Sequence, residues 1–243
     1  MVRVLADCFE YLSLPAIPYC WLYIVLRTTA EPSHRPYARR HARVHLVKRD
    51  KPRSQTWRTF IDNHIPDIAA VDFFTVPTVT LRVLYCFVVL RLDRRHVVHF
   101  NVTTNPTAAW TAQQLTEAFP FDEAPRFLIR DRDGAYGAVV RSRLRNMGVE
   151  EVLTAPRSPW QNPFAERLIG SVRRECLDHV IVLSGAHLLR VLSEYLEYYH
   201  ETRAHQSLAG NSPVPREVEP PERGPVVGSP VLGGLHHAYR RAA

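Results

Sequence analysis

Three acidic residues stand at positions where a carboxylate is unusual for folding alone. Asp72 interrupts the apolar run "IAAVDFFTV", Asp131 ends the run "RFLIRD", and Glu166 follows the proline-broken loop "SPWQNPFA". Three carboxylates brought together repel one another unless cations neutralise them. Hard divalent cations favour oxygen ligands, and Mg²⁺ uses a few carboxylates while keeping waters for phosphates. A cluster of these acids would therefore suit metal-assisted attack on a phosphodiester.

Each acid also has a simpler explanation. Asp72 could accept a hydrogen bond at a strand end, and Asp131 could open a turn, because "DRDG" is turn-like. Glu166 could complement the dipole at the start of a helix. Since perturbed acids are often structural, the spacing alone leaves both explanations open.

The elements that must position these acids follow from the apolar patterns. Short runs rich in β-branched and aromatic residues predict strands at 68–76, 83–90, 96–102, 126–131 and 149–154. Capping residues, a first-turn proline and a closing glycine predict helices at 105–119 and 138–148. A further helix begins near Glu166, and leucines at helical spacing predict another at 185–208.

This order predicts an α/β fold with a mixed sheet and helices on both faces, since three antiparallel strands precede strands joined by crossover helices. In such a sheet the first and fourth strands can be neighbours, which would bring Asp72 close to Asp131. The helix that carries Glu166 could then pack across that end of the sheet.

The positive charge is concentrated in one segment. Residues 27–58 contain ten Arg and Lys and two acids, whereas residues 59–243 contain twenty of each. A basic arm before a neutral domain indicates a polyanionic partner, most often nucleic acid. A solvated leader without a ligand explains the charge equally well.

The ends of the chain carry less information. The apolar stretch 11–26 is interrupted by two prolines and is shorter than the roughly 20 residues that span a bilayer, so no membrane is expected as a partner. The four cysteines are far apart and form no CxxC pair, which fits a reducing compartment. The Pro- and Gly-rich tail 211–243 is expected to be irregular.

Five motifs, in order, resemble the integrase catalytic core of DDE transposases and retroviral-type integrases, as found in bacterial insertion sequences. They are "AAVDFFTVPT", "LYCFVVLRLDRRHVV", "LIRDRDGAYG", "SPWQNPFAERLIGSVRREC" and "EYYHETRAHQSL", and together they cover residues 57–210. The resemblance implies an RNase H-like fold with a five-stranded mixed sheet. It also implies metal-dependent DNA cleavage and strand transfer by a cytoplasmic, nucleoid-associated homo-oligomer on the element ends.

The resemblance assigns the catalytic and metal-binding triad to Asp72, Asp131 and Glu166, holding two Mg²⁺ or Mn²⁺ ions. Asp133 is the alternative second aspartate. Two features favour Asp131: Tyr136 lies five residues after it, as an aromatic does in the family, and 34 residues separate it from Glu166, against 32 for Asp133. The first number is nearer to the family's usual spacing.

Four further residues are candidate DNA contacts. Asn162 matches a polar position near the family's active site, and Arg173 matches a position often held by a DNA-contacting lysine. Arg167 and Arg174 add positive charge to the same segment. Two helical turns place Arg173 on the face of Glu166, and arginine can fork onto a phosphate. A solvated basic face is the alternative explanation for these arginines.

The N-terminal segment 1–56, with its basic arm at 27–56, departs from the family. Residues 1–46 show no helix-turn-helix pattern, although family members usually carry a DNA-binding region before the core. Two other functions therefore stay open: a truncated, inactive transposase that only binds DNA, and an RNase H-type nuclease. The closing motif "YYHETRAHQSL" argues against the nuclease.

Overall fold

The structure is a computed structural model that describes residues 55–120 and 123–242. The apolar stretch 11–26 and nearly all of the basic arm lie outside the described residues. None of the described helices is long and apolar enough to cross a bilayer.

Five strands form one mixed sheet. They are β1 (Ile68–Pro77), β2 (Val83–Arg91), β3 (Val97–Thr103), β4 (Phe127–Arg130) and β5 (Glu150–Leu153). Their spatial order is β3-β2-β1-β4-β5. The first three strands are antiparallel, whereas β4 pairs parallel to both β1 and β5. The prediction of a mixed sheet in which the first and fourth strands are neighbours is confirmed.

Five α-helices accompany the sheet in the described residues: α1 (Trp57–His64), α2 (Ala108–Ala118), α3 (Ala138–Asn146), α4 (Pro163–Glu175) and α5 (Gly185–Glu201). Thr107 caps α2 by accepting a hydrogen bond from the N–H of Trp110 at 3.2 Å, which satisfies a backbone donor that a helix start leaves unpaired. Gly148 follows α3 with a φ of 70°, a left-handed conformation that glycine adopts without strain.

Two predictions about helices were incomplete. The sequence did not predict α1, which is a short helix that Thr56 caps by accepting from the N–H of Thr59. The last helix ends at Glu201 rather than near residue 208. The backbone N–H groups of Thr202 and Arg203 both donate to the carbonyl of Tyr198, which closes the helix early.

Alternation along the strands divides the core into two faces. In β2, Phe87 and Val89 pack with α2 and α3, whereas Cys86, Val88 and Leu90 pack with α4 and α5. Because successive strand side chains point to opposite faces, the continuous apolar run of β2 reflects burial on both sides. The prediction of helices on both faces is confirmed.

The C-terminal tail was predicted to be irregular, and this prediction is wrong. Strands β6 (Val226–Val231) and β7 (His236–Arg241) form an antiparallel hairpin. The His236 ring stacks on Tyr198 at 4.6 Å between centroids, and its Nε2 donates to the carbonyl of Glu175. The prolines and glycines of this segment had suggested irregular structure. Gly233 and Gly234 instead form the turn of the hairpin, where their φ values are positive.

Glu175 joins α4 to the segment after α5. Its carboxylate accepts hydrogen bonds from the Tyr195 hydroxyl at 2.9 Å and from Arg203 Nε and NH2 at 2.7 and 2.6 Å. Burial alone would raise the pKa of Glu175, but these donors hold it below its ordinary value. The fork between Arg203 and Glu175 is a bidentate, charge-assisted pair, so the closing motif fastens the C-terminal end of α4.

The imidazole of His200 makes the fold sensitive to acid. Its Nε2 accepts the backbone N–H of Val97 at 3.0 Å, and the ring stacks on His96. Burial, followed by the charges of His96 and His205, lowers the pKa of His200 to about 4. The unfolded chain therefore binds more protons than the folded one between pH 4 and 6.5, so stability is full above this window and falls with pH through it.

We expect the free energy of unfolding to fall by about 2 kcal/mol between pH 7 and pH 4.5 because of His200. His200→Gln, which keeps a hydrogen-bond acceptor but does not titrate, should remove most of this loss. Urea unfolding of both proteins at several pH values measures the difference. An equal pH dependence in the two proteins would contradict the assignment to His200.

Candidate active site

Asp72 and Asp131 lie on the same side of adjacent parallel strands. Ala70 in β1 pairs with Ile129 in β4, so continuing the register by two residues sets Asp72 opposite Asp131. Ile68, Ala70 and Ile129 pack in one cluster with Ala165 of α4. Since side chains two residues apart share a face, both carboxylates lie on the α4 side of the sheet. The predicted proximity of the two aspartates is confirmed by this register.

The turn after β4 gives Asp131 and Asp133 different surroundings. The carboxylate of Asp133 accepts the N–H of Ala135 at 2.7 Å, which builds the turn. Asp131 Oδ1 accepts the N–H of Asp133 at 3.1 Å. Asp131 directly continues the strand that borders β1, whereas Asp133 belongs to the turn. This difference favours Asp131 as the partner of Asp72.

Asn162 fixes the start of α4 beside Asp72. Its Nδ2 donates to the carbonyl of Val71 at 3.2 Å, and the residue is 6% exposed. Its Oδ1 is buried without a hydrogen-bond partner in the described part of the chain. Pro163 occupies the first helical position, where its missing N–H is tolerated. Glu166 thereby comes to the first turn of α4, on the side of the sheet that carries both aspartates.

The acids influence one another strongly. Burial, followed by the charge of Asp131, raises the pKa of Asp72 to about 7, although the N–H of Phe73 donates to its Oδ1 at 2.8 Å and opposes the rise. The charges of Glu166 and Asp133 raise it further. Burial also raises the pKa values of Asp131 and Glu166. Burial and neighbouring negative charges both disfavour the ionised form of a carboxylate, and this is why these pKa values are raised.

Tyr136 and Arg130 border the acids on the other face of the sheet. Tyr136 is 3% exposed, its hydroxyl has no hydrogen-bond partner among the described residues, and Arg130 lies 5.1 Å from its ring centre. Arg130 forms an ion pair with Glu151 of β5. Burial, and then the charge of Asp72, raise the pKa of Tyr136 well above its ordinary value. The sequence indicated Tyr136 only as a spacing marker.

The donor set suits a hard divalent cation, but it is not gathered as a complete cage. Within residues 55–120 and 123–242, no group of three or more His, Cys, Asp or Glu side chains is arranged to hold a metal ion. Asp72 and Asp131 are oxygen donors of the kind that Mg²⁺ prefers, and a bound cation would offset the burial that raises their pKa values. Glu166, the third acid, is exposed, as is Asp131, whereas Asp72 is half-buried. The residues therefore fit a divalent cation bound mainly by the two aspartates.

The predicted DNA contacts on α4 separate into two groups. Arg173 NH2 donates to the carbonyl of Thr75 at 3.1 Å, and its guanidinium lies 5.7 Å from the ring centre of Phe74. Arg173 is thus fastened to β1, on the helix face of Glu166. Arg167 and Arg174 lie on another face of α4, where they line a separate cleft.

Comparison with known proteins agrees with this architecture. The family model of the integrase core domain matches residues 147–213. The chain is 25% identical over 142 residues to the "Insertion element IS476 uncharacterized 39.2 kDa protein" of Xanthomonas euvesicatoria, which covers 58% of this chain and 41% of that protein. It is 28% identical over 127 residues to the putative transposase InsD for insertion element IS2E of Escherichia coli, covering 49% of this chain and 58% of that protein.

A solved structure shares the fold. The catalytic core domain of the integrase of the virus HTLV-2, solved in complex with magnesium, superposes with a TM-score of 0.50 at 11% identity, over 62% of this chain and 95% of that one. The fold is therefore that of integrase and transposase catalytic cores, the RNase H-like fold. Together with the matching family model and the insertion-element relatives, this confirms the predicted resemblance to integrase cores. The chain spans about half the length of the two insertion-element relatives.

Proposed function

We propose that this protein is a transposase of the integrase type, a polynucleotidyl transferase that cleaves DNA and joins strands with divalent metal ions. The observation that carries the proposal is the pair Asp72 and Asp131, set side by side on β1 and β4 with Glu166 on the adjoining helix. Their crowded charge is what a divalent cation would neutralise.

Asp72, Asp131 and Glu166 would hold the metal, Mg²⁺ or Mn²⁺ and two ions in all. When bound, two such ions activate a water or hydroxyl and stabilise the leaving oxygen of a phosphodiester. Asn162 keeps α4 against β1, and its Oδ1, which has no hydrogen-bond partner among the described residues, could accept from a water or a substrate group. Arg173, on the Glu166 face, retains donors that can meet a phosphate beside the acids.

The partner in this proposal is DNA, bound by a homo-oligomer at the ends of the element. Support comes from the relatives, which are described as insertion-element proteins and a putative transposase. Arg167 and Arg174 are the further candidate contacts on α4. The alternative function is DNA binding without catalysis, and its motivation is that residues 1–46 show no helix-turn-helix pattern.

The test uses the full chain and duplexes that carry the terminal inverted repeats found in the DNA around the gene. We expect nicked and joined products with Mg²⁺ or Mn²⁺, and none in EDTA. Supercoiled plasmid serves as the second substrate, since target nicking needs no end sequence. Binding of either DNA without any product in Mn²⁺ would overturn the catalytic proposal and establish the DNA-binding alternative.

A further inference from the structure

A basic cleft of about 370 Å³ lies beside α4, away from the Glu166 face. Four arginines from three parts of the chain line it: Arg95 from the β2–β3 turn, Arg167 and Arg174 from α4, and Arg203 from the segment after α5. Ser171, Gln206 and Ser207 contribute neutral hydrogen-bonding groups. Among the described residues, no Asp or Glu lines the cleft.

The charge in the cleft is mostly uncompensated. Arg203 is paired with Glu175, which takes up one of the four positive charges. In residues 55–120 and 123–242, Arg95, Arg167 and Arg174 form no ion pair with a carboxylate. The charge of Arg167, after burial, lowers the pKa of Arg95, so these two guanidinium groups repel each other across the cleft. An anion between them would relieve that repulsion.

The β2–β3 turn holds Arg95 in place. Its neighbour Arg94 donates through Nε and NH2 to the carbonyls of Pro213 and Ser212 at 2.7 and 2.9 Å, which ties the turn to the segment after α5. Arg95 itself has a φ of 61°, a strained conformation for a residue with a side chain, and such strain concentrates at functional sites. The paired arginines of the motif "LDRRHVV" therefore have different roles. Arg94 holds the turn in place, whereas Arg95 forms no ion pair within residues 55–120 and 123–242.

Two aromatic rings line the cleft, and an arginine lies over each of them. The guanidinium of Arg95 lies 5.3 Å from the ring centre of Phe164, and that of Arg203 lies 5.7 Å from the ring centre of Tyr199. Recognition of unpaired bases or nucleotides depends on stacking against exposed rings. The cleft lacks such platforms, so its chemistry suits a phosphate group rather than a base.

We infer that this cleft binds the phosphodiester backbone of duplex DNA, at a site separate from the acids and built around Arg95. The inference rests on the proposed function for the choice of DNA. Guanidinium groups fork onto phosphate oxygens, and contacts of this kind position a duplex without reading its sequence. Arg95 would hold a DNA segment on the α4 side of the core while the acids act at the other face of the helix.

The test measures binding of a fluorescent duplex of arbitrary sequence by anisotropy, across a series of salt concentrations and in EDTA. Arg95→Gln should weaken binding about three- to tenfold and lower the slope of log K against log salt by about 0.9. The double variant Arg167→Gln/Arg174→Gln should lower it by about 1.8. Thermal unfolding, unchanged by these substitutions, confirms that the variants fold.

The matched control is Arg141→Gln/Arg145→Gln, since both arginines are exposed on α3 across the sheet. It removes the same charge as the α4 double variant and should change the slope little. An equal loss in the control, or an unchanged slope in Arg95→Gln, would overturn the inference. Tighter binding of an RNA duplex of the same sequence, lost in Arg95→Gln, would overturn the assignment to DNA.

The outcomes for cleft and catalysis are separable. If wild type cleaves DNA while Arg95→Gln binds as tightly as wild type, the cleft inference fails and the proposed function stands. If Arg95→Gln loses affinity while wild type yields no product in Mn²⁺, the cleft stands and the catalytic proposal fails.

Discussion

Replacing Asp131 with asparagine should abolish DNA cleavage and joining, with a loss of about 10³-fold or more, whereas Asp133→Asn should retain most activity. The reason is the position of each residue. Asp131 continues β4 opposite Asp72, whereas the carboxylate of Asp133 already accepts a hydrogen bond from the N–H of Ala135. Both substitutions remove one negative charge from the same turn. Product formation from labelled duplexes in Mg²⁺ and Mn²⁺ measures the difference.

The two remaining acids extend this test. Asp72→Asn and Glu166→Gln should each lower activity to the level of Asp131→Asn, and the triple variant should be no worse than the singles, because ligands of one site act as a unit. Activity near the wild-type level in all three single variants would contradict the triad. A loss in Asp133→Asn with activity kept in Asp131→Asn would instead move the second ligand to Asp133.

Asp72→Asn should stabilise the metal-free protein at pH 8 by about 3 to 4 kcal/mol. Burial and the charge of Asp131 raise the pKa of Asp72 from 3.8 to about 7, so the folded state binds more protons than the unfolded one between these values. Stability is therefore fully present below pH 4 and is lost as the pH rises through 7. Asparagine removes this loss, and its Oδ1 can still accept the N–H of Phe73.

Urea unfolding in EDTA at pH 4.5 and pH 8 measures the effect, with Asp178→Asn as a matched control on an exposed acid of the α4–α5 link. The two stability curves should differ by only about 1 kcal/mol at the lower pH and separate further at the higher one. Adding Mg²⁺ at pH 8 should stabilise wild type more than Asp72→Asn, because binding only to the folded state raises its stability. A wild type that is more stable than the variant at pH 8 in EDTA would refute the argument.

Strong local patterns made much of the fold predictable. The five strands and the helices α2 and α3 follow from apolar runs, from the cap at Thr107 and from Gly148, and each was found within a few residues of its predicted bounds. Adjacency of Asp72 and Asp131 followed from the topology that these elements allow. Here the local preferences and the tertiary contacts agree, so the sequence alone is informative.

Other features depended on contacts that are distant in sequence. The C-terminal hairpin is held by His236 against Tyr198 and Glu175, and α5 ends early where Arg203 reaches back to Glu175. The basic cleft unites Arg95 with residues at least 69 positions further along the chain. Such pairings carry no local periodicity, and therefore the sequence identified the arginines of α4 but neither Arg95 nor the paired role of Arg203.

The three acids of the candidate site are held in place by different contacts. Asp72 lies in β1 and Asp131 directly follows the neighbouring strand β4, whereas Glu166 lies on α4, whose start is joined to β1 by the hydrogen bond from Asn162 to Val71. Short helix ends open locally far more readily than central strands do. The first turn of α4 is also held by packing, because Ala165 is fully buried against Ala70 and Ile129. The position of the third acid therefore depends on how α4 packs, whereas the two aspartates are placed by the sheet itself.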